Sequence, residues 1–304
     1  MSQATSSERS TPRSAIAMVE GPALADDKPR DLPGLHNVVA FHEGFYSGGV
    51  PEGDEGFDAL AAMGVKVIIS VDGAEPDIER AMARGIRYIH LPIGYNGFDE
   101  KRRLELTRAT RDAMQSGPVY LHCHHGKHRS AGAAGTIAVS LGWLTNEQAT
   151  GRMKVSGTAP DYKGLYACTA NATVLDAGMI DAVPADFPEV SHPATFVKAM
   201  VEIDEINDRL KLIEKAGWVA PADHPDLVPA AEAARMADLF RLVAESDKAK
   251  RNPGDFAAAL REDSARVTTL EEMLVAREKD RARLSERLKA IQTSCKDCHA
   301  KYRD

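Results

Sequence analysis

Between residues 31 and 183 the apolar positions fall into two kinds of run that alternate along the chain. Val65 to Val71 is an almost uninterrupted β-branched stretch, the pattern of a central strand buried on both faces. Phe45-Tyr46-Ser47-Gly48-Gly49 reads as a strand running into a turn, Tyr88 to Ile93 as another strand, and Val119-Tyr120-Leu121 as a short buried one. Asp54 to Met63, Glu75 to Arg84 and Asp99 to Gln115 read as helices between them, and Glu147 to Val155 and Tyr162 to Leu175 follow as two more. This alternation predicts a three-layer α/β domain over residues 31–183 with a largely parallel sheet.

Beyond Asp181 the pattern changes. Pro184, Pro188 and Pro193 mark a linker, and the strand signals stop. Phe196, Met200, Ile203, Ile206, Leu210 and Ile213 recur three or four apart and give one helical stripe. Leu227, Ala231, Ala234, Leu239, Phe240 and Val243 give a second, and Phe256, Leu260, Val267, Leu270 and Leu274 a third. Leu284, Leu288, Ile291, Cys295 and Cys298 give a fourth. Four amphipathic helices with short breaks predict an all-α four-helix bundle over residues 184–304. Residues 1–30, rich in Ser, Thr, Pro and charge, read as a disordered leader or export segment. Arg9 and Arg13 precede the apolar patch Ala15 to Val19, and Ala23-Leu24-Ala25 resembles a cleavage site, but Glu20-Gly21-Pro22 cuts the apolar core short.

Composition narrows the function. A length of 304 residues suits two domains. A net charge of −7 gives a nucleic-acid partner no electrostatic support. No run of 18 apolar residues exists, so no transmembrane segment is expected. Four cysteines are too few for a disulfide scaffold, which shifts attention to their positions: Cys123, Cys168, Cys295 and Cys298.

The first chemical stretch is His122-Cys123-His124-His125-Gly126-Lys127-His128-Arg129-Ser130. It follows the strand at 119–121 and precedes a small-residue helical run from Ala131 to Val139. Inward amides of such a loop form an anion nest, and the helix N-terminus adds positive potential. Arg129 can then clamp two phosphate oxygens, and the same field favours a thiolate nucleophile at Cys123. A buried cysteine in a His-rich loop, or a metal site among His122, His124, His125 and His128, uses the same residue types. Cys168, in Leu165-Tyr166-Ala167-Cys168, reads as a core cysteine or as a resolving partner for oxidised Cys123.

The His-Cys-x5-Arg-Ser pattern resembles the phosphate loop of the cysteine-dependent protein tyrosine and dual-specificity phosphatases. The Leu32-to-Val38 opening and the Tyr46-to-Gly49 turn are similar to the start of the small dual-specificity members. The resemblance implies hydrolysis of a phosphorylated protein or small phosphate ester through a phosphocysteine on Cys123. By the same resemblance His124, His125, Gly126, Lys127, His128 and Arg129 surround the phosphate, and His122 and Ser130 support the nucleophile. The family's general acid is an aspartate upstream. Its expected place in Gly94-Tyr95-Asn96-Gly97-Phe98-Asp99 falls near Asn96. Asp99 is the nearest carboxylate, a candidate acid and equally a helix N-cap. Anion binding without efficient turnover is the alternative.

The second chemical stretch is Cys295-Lys296-Asp297-Cys298-His299, the attachment pattern of a c-type haem. Two thiols one turn apart can reach both vinyl groups of a porphyrin, and His299 follows as an axial ligand to the iron. A structural zinc site would need a fourth ligand. A motif near the chain end on a four-helix bundle resembles the cytochrome c′ family. That resemblance implies covalent haem c on Cys295 and Cys298, iron held by His299, and a distal side facing the first helix. Met200 is a possible distal ligand there or a core residue, and Arg303 a possible propionate partner. The implied roles are electron transfer to a redox partner or sensing of a gas ligand, with a possible homodimer through the bundle. Haem attachment implies a periplasmic or otherwise exported protein, whereas Cys123 needs to stay reduced.

Overall fold

A computed structural model describes residues 19–191, 196–251 and 254–302. Arg9, Arg13, most of the apolar patch before Glu20, Pro193 and Arg303 lie outside the described residues. Six strands form one sheet: β1 (Arg30–Leu32), β2 (Leu35–His42), β3 (Phe45–Gly48), β4 (Val67–Ser70), β5 (Arg87–His90) and β6 (Val119–His122), in the order β1-β2-β3-β6-β4-β5. β3, β6, β4 and β5 are parallel neighbours, whereas β1 and β2 pair antiparallel at one edge. The sheet is therefore mixed: the expectation of a largely parallel one holds from β3 to the β5 edge and fails on the β1–β2 side. The reason is local: Pro33-Gly34 and Glu43-Gly44 are two-residue connections, which close hairpins and cannot make parallel crossovers.

Alternation along the strands fills two cores. Val38, Ile68, Tyr88 and Tyr120 face Phe57 and Leu60 of α1 (Gly53–Ala62) and Ala81 of α2 (Ile78–Met82). Val39, Phe41, Val67, Ile69, Val119 and Leu121 face the other way. They meet Leu106 of α3 (Glu100–Met114), the alanines of α4 (Arg129–Ser140), Met153 of α5 (Asn146–Val155) and Leu165 of α6 (Lys163–Ala170). α2 is shorter than its sequence pattern, because Pro76 precedes it and the Asp77 carboxylate caps it by accepting the Arg80 amide at 3.1 Å. A short α7 (Ala177–Asp181) follows α6.

Beyond residue 195 the described chain is helical: α8 (Phe196–Lys215), α9 (Pro229–Glu245), short α10 (Asp247–Arg251), α11 (Gly254–Val275) and α12 (Arg281–Tyr302). The stripes read from sequence in α8, α11 and α12 meet in one apolar cluster through Ile206, Leu210, Val267, Leu270, Leu284 and Leu288. α9 differs from its expected single stripe. Met236, Phe240 and Val243 enter the helical core, whereas Ala230, Ala231 and Ala234 pack into the core of the α/β half. A helix apolar on both sides is buried all round, and α9 is buried at most positions from Ala230 to Ala244. Its buried acids, Glu232 and Asp238, then need partners. No helix among the described residues is long and apolar enough to cross a membrane.

Candidate active site

β6 ends at His122 and α4 begins at Arg129, so residues 123–128 turn between them at the carboxyl ends of the parallel strands. Gly126 has φ +72°, and a Cβ there would lie 2.3 Å from Gly48 C and Gly49 N, so only glycine fits. Three carbonyls of the loop are held from outside. His124 O accepts from Val50 N at 3.0 Å, Gly126 O from Asn37 Nδ2 at 3.0 Å, and Lys127 O from Thr158 Oγ1 at 2.5 Å. A planar peptide points its N–H opposite its C=O, so the amides of His125, Lys127 and His128 turn to the concave side. That is the geometry of an anion nest. Asn37 also donates to Ser156 O at 2.9 Å and so ties β2, the loop and the end of α5 together.

Cys123 is buried, and its Sγ lies 3.3 Å from Ser130 Oγ. His122 Nε2 lies 2.8 Å from the Tyr88 hydroxyl. His128 accepts the Ala159 amide at Nδ1 (3.4 Å) and stacks on Tyr162 with ring centroids 4.1 Å apart. Burial pushes all four loop histidines down, His122 and His125 to about 4 and His124 and His128 to about 3. They are neutral at neutral pH, so the site's positive potential comes from Arg129, the exposed Lys127 and the end of α4. Among the described residues no three His, Cys, Asp or Glu groups converge as a metal site.

Arg129 is where the two halves meet. Its Nη1 lies 2.6 Å from Asp238 Oδ2 of α9, with the two side chains 3 % and 9 % exposed. Its Nη2 lies 3.6 Å from Asp72 Oδ2, just past β4, and its guanidinium sits 4.2 Å from the Tyr95 ring centroid. Arg241, one turn along α9, pairs with Asp238 Oδ1 and lies 3.6 Å from Asp72 Oδ1. Burial would raise Asp72, but Arg129 and Arg241 outweigh it and hold the carboxyl far below its usual range. Two guanidinium groups and two carboxylates thus share one buried cluster. Tyr95 also donates to Asp238 at 3.3 Å, and Tyr162 to Glu271 of α11 at 3.4 Å. A cavity of about 460 Å³ opens at this seam, lined by His90, Tyr95, Asn96 and Arg129 on one side and Arg235 and Leu239 on the other.

Asn96 and Asp99 are both exposed. Asp99 is the N-cap of α3, its Oδ1 accepting the Arg102 amide at 2.8 Å. The loop before it is clasped onto α6. A Cβ on Gly164 would lie 2.0 Å from Asn96 O, and Cys168 Sγ accepts the Phe98 amide at 3.4 Å. Cys168 is half-buried against that loop. Sequence reading missed Asn37, Thr158 and Tyr162 as props of the phosphate loop, and Asp72, Asp238 and Arg241 as its charge partners. The one sequence signal for Asp72 is its place directly after the Val65–Val71 strand run.

The second chemical stretch lies on α12. Cys295 and Cys298 are half-buried and pack against the helical core, as do Phe196, Met200 and Tyr302, and His299 is exposed. Burial pushes the Cys295 thiol up to about 11, with Asp263 and Cys298 adding to it, and raises Cys298 as well.

No family model matches the chain, and no curated protein matches it. Solved structures are similar over the N-terminal half. The P. aeruginosa TpbA structure is 22% identical with TM-score 0.42, covering 49% of this chain and 91% of that one. A DUF442 protein from Shewanella putrefaciens CN-32 is 19% identical with TM-score 0.38, covering 46% of this chain and 95% of that one. The core catalytic domain of the PP-IP phosphatase SIW14 from S. cerevisiae, in complex with citrate, is 20% identical with TM-score 0.34, covering 51% of this chain and 90% of that one.

Proposed function

We propose that the chain is a cysteine-dependent phosphate-monoester phosphatase of the protein tyrosine or dual-specificity type, fused to a c-type haem domain built as a four-helix bundle. One arrangement carries the first half: Cys123 and Arg129 bracket a loop whose His125, Lys127 and His128 amides turn to its concave side at the head of α4, with Ser130 Oγ 3.3 Å from the thiol. In this reading the Cys123 sulfur attacks phosphorus, the P–O bond to the leaving group breaks, and water later hydrolyses the phosphocysteine. Arg129 and the loop amides hold the equatorial oxygens. The Ser130 hydroxyl donates to the sulfur as it regains charge. Asn96 cannot supply a proton and Asp99 is engaged as a cap. Aryl phosphates and other esters whose leaving groups depart without a proton are therefore the preferred substrates. Steady-state turnover of p-nitrophenyl phosphate by the full chain tests this, with Cys123→Ser expected to abolish it. Turnover surviving in that variant removes the mechanism. The second reading, anion binding without efficient turnover, is favoured by the same lack of a placed acid.

The residues of α12 fit a haem. Cys295, Cys298 and His299 fall within about 100° of one helix face, and the two thiols adjoin an apolar cluster with aromatic side chains. Burial raises both thiols, which leaves them as S–H groups of the kind that add across porphyrin vinyl groups. Cys295 and Cys298 would hold the macrocycle and His299 the iron, with Met200 on the first helix as a possible distal neighbour. When bound, haem iron supplies a redox couple or a gas-binding position. Covalent attachment goes with export to the periplasm, and the bundle's exposed faces with a redox partner or a second copy.

A further inference from the structure

Arg129 has one task in the proposed reaction, and in this structure that task is taken. The guanidinium that is to clamp phosphate instead holds Asp238 Oδ2 at 2.6 Å, inside a cluster that also contains Asp72 and Arg241. Two positive and two negative charges leave that cluster neutral. A phosphate oxygen on Arg129 Nη1 would need the position that Asp238 Oδ2 fills, and at that distance the phosphate and the carboxylate repel each other. Phosphate and Asp238 therefore exclude each other.

The cluster also divides along the seam between the halves. Asp72 and Arg129 belong to the α/β half, Asp238 and Arg241 to α9. If α9 draws back, Arg241 keeps Asp238 and Arg129 keeps Asp72, so neither surface is left with an unpaired charge. The apolar contact that must be given up on the helical side comprises Ala230, Ala231 and Ala234, with Val228, Leu274 and Val275 partly buried against the same core. Apart from the 2.6 Å Arg129–Asp238 pair, the hydrogen bonds across the seam are long, 3.3 Å from Tyr95 to Asp238 and 3.4 Å from Tyr162 to Glu271. The cavity beside Arg129 lies on the same seam, so a substrate's approach runs between the halves.

We infer that Asp238 stands in for the substrate phosphate: the helical half keeps the Cys123 site latent, and the site accepts phosphate when α9 retracts with its Asp238–Arg241 pair. This rests on the reading of Cys123 and Arg129 as a phosphatase site, and adds its regulation. Burial raises Asp238 from its ordinary value, against the pull of Arg129 and Arg241, which would also suit a proton donor, so the test must separate the two roles.

The full-length double variant Asp238→Asn/Arg241→Gln removes the plug and keeps the buried charge balanced. Inorganic phosphate binding and p-nitrophenyl phosphate turnover are measured on it and on the unsubstituted chain. Latency predicts a fall of tenfold or more in the phosphate Kd and a matching rise in kcat/KM. Tighter phosphate binding with no turnover in either protein upholds latency and removes the phosphatase reading. Equal Kd and equal turnover in both proteins overturns latency and leaves the phosphatase reading standing. A loss of turnover that is steepest for alkyl phosphates overturns latency and makes Asp238 the acid. If the double variant does not fold, the unsubstituted chain decides: saturating inorganic phosphate should speed amide exchange in Pro229–Glu245, and unchanged exchange with phosphate bound overturns the proposal.

Discussion

At the scale of single residues, Gly126 carries the tightest constraint on the phosphate loop. Its left-handed backbone and its 2.3 Å approach to Gly48 and Gly49 both exclude a side chain. Gly126→Ala should cost about 1–3 kcal/mol from backbone strain alone, with more for the clash. Thermal unfolding should show the loss, and phosphate binding should weaken with it. Asn96→Asp is expected to act oppositely, by restoring a proton donor. Turnover of alkyl phosphates should rise more than that of nitrophenyl phosphate, because a poor leaving group gains most from protonation. A uniform effect on both substrates would show that position 96 does not reach the leaving oxygen. Cys123 and Arg129 could be read from the chain because their spacing is local and the loop chemistry fixes it. Asp238 could not, since nothing in a helical stripe says that one of its acids will meet an arginine in another half of the chain.

Among elements, α9 and α11 decide how the halves are joined. Glu271 of α11 faces Tyr162 of the α/β half, with Asp238 and Arg241 of α9 and Arg129 of α4 around it. Burial pushes its carboxyl from 4.5 up to about 7, with Asp238 adding to the rise and both arginines opposing it. A folded value above the unfolded one means the folded state binds the proton more tightly. Stability from this group is thus fully present below about pH 4.5 and is lost as pH rises through about 7, by up to about 3 kcal/mol. The melting temperature of the full chain should fall over that interval, and Glu271→Gln should flatten the slope. The stripes of α8, α11 and α12 were legible because each has one apolar face. α9 was only half legible, since alanine serves either face and periodicity alone does not say which core receives it. The antiparallel edge was missed for a different reason: β2 mixes His36, Asn37 and His42 into its apolar positions and blurs the strand signal.

For the whole molecule, the expected outcome is one covalently bound haem per chain when the protein is made with haem-attachment machinery. Acid–acetone should leave the pigment on the protein, and Cys295→Ser/Cys298→Ser should release it while leaving Cys123-dependent turnover unchanged. Extractable pigment in the unsubstituted chain would remove the c-type assignment. The path of the chain between the halves has one more consequence. Pro188 O accepts the His90 amide at 2.9 Å, and Ser191 binds His90 through its own amide at 3.1 Å and through its hydroxyl. The connecting segment therefore runs along β5 and covers the outer rim of the sheet, where an open strand would pair with a neighbouring molecule. The α/β half borrows its protection from self-association from the tether that leads to its partner half. A fragment cut ahead of Pro188 would carry every residue of the phosphate loop and still expose a strand that seeks another sheet.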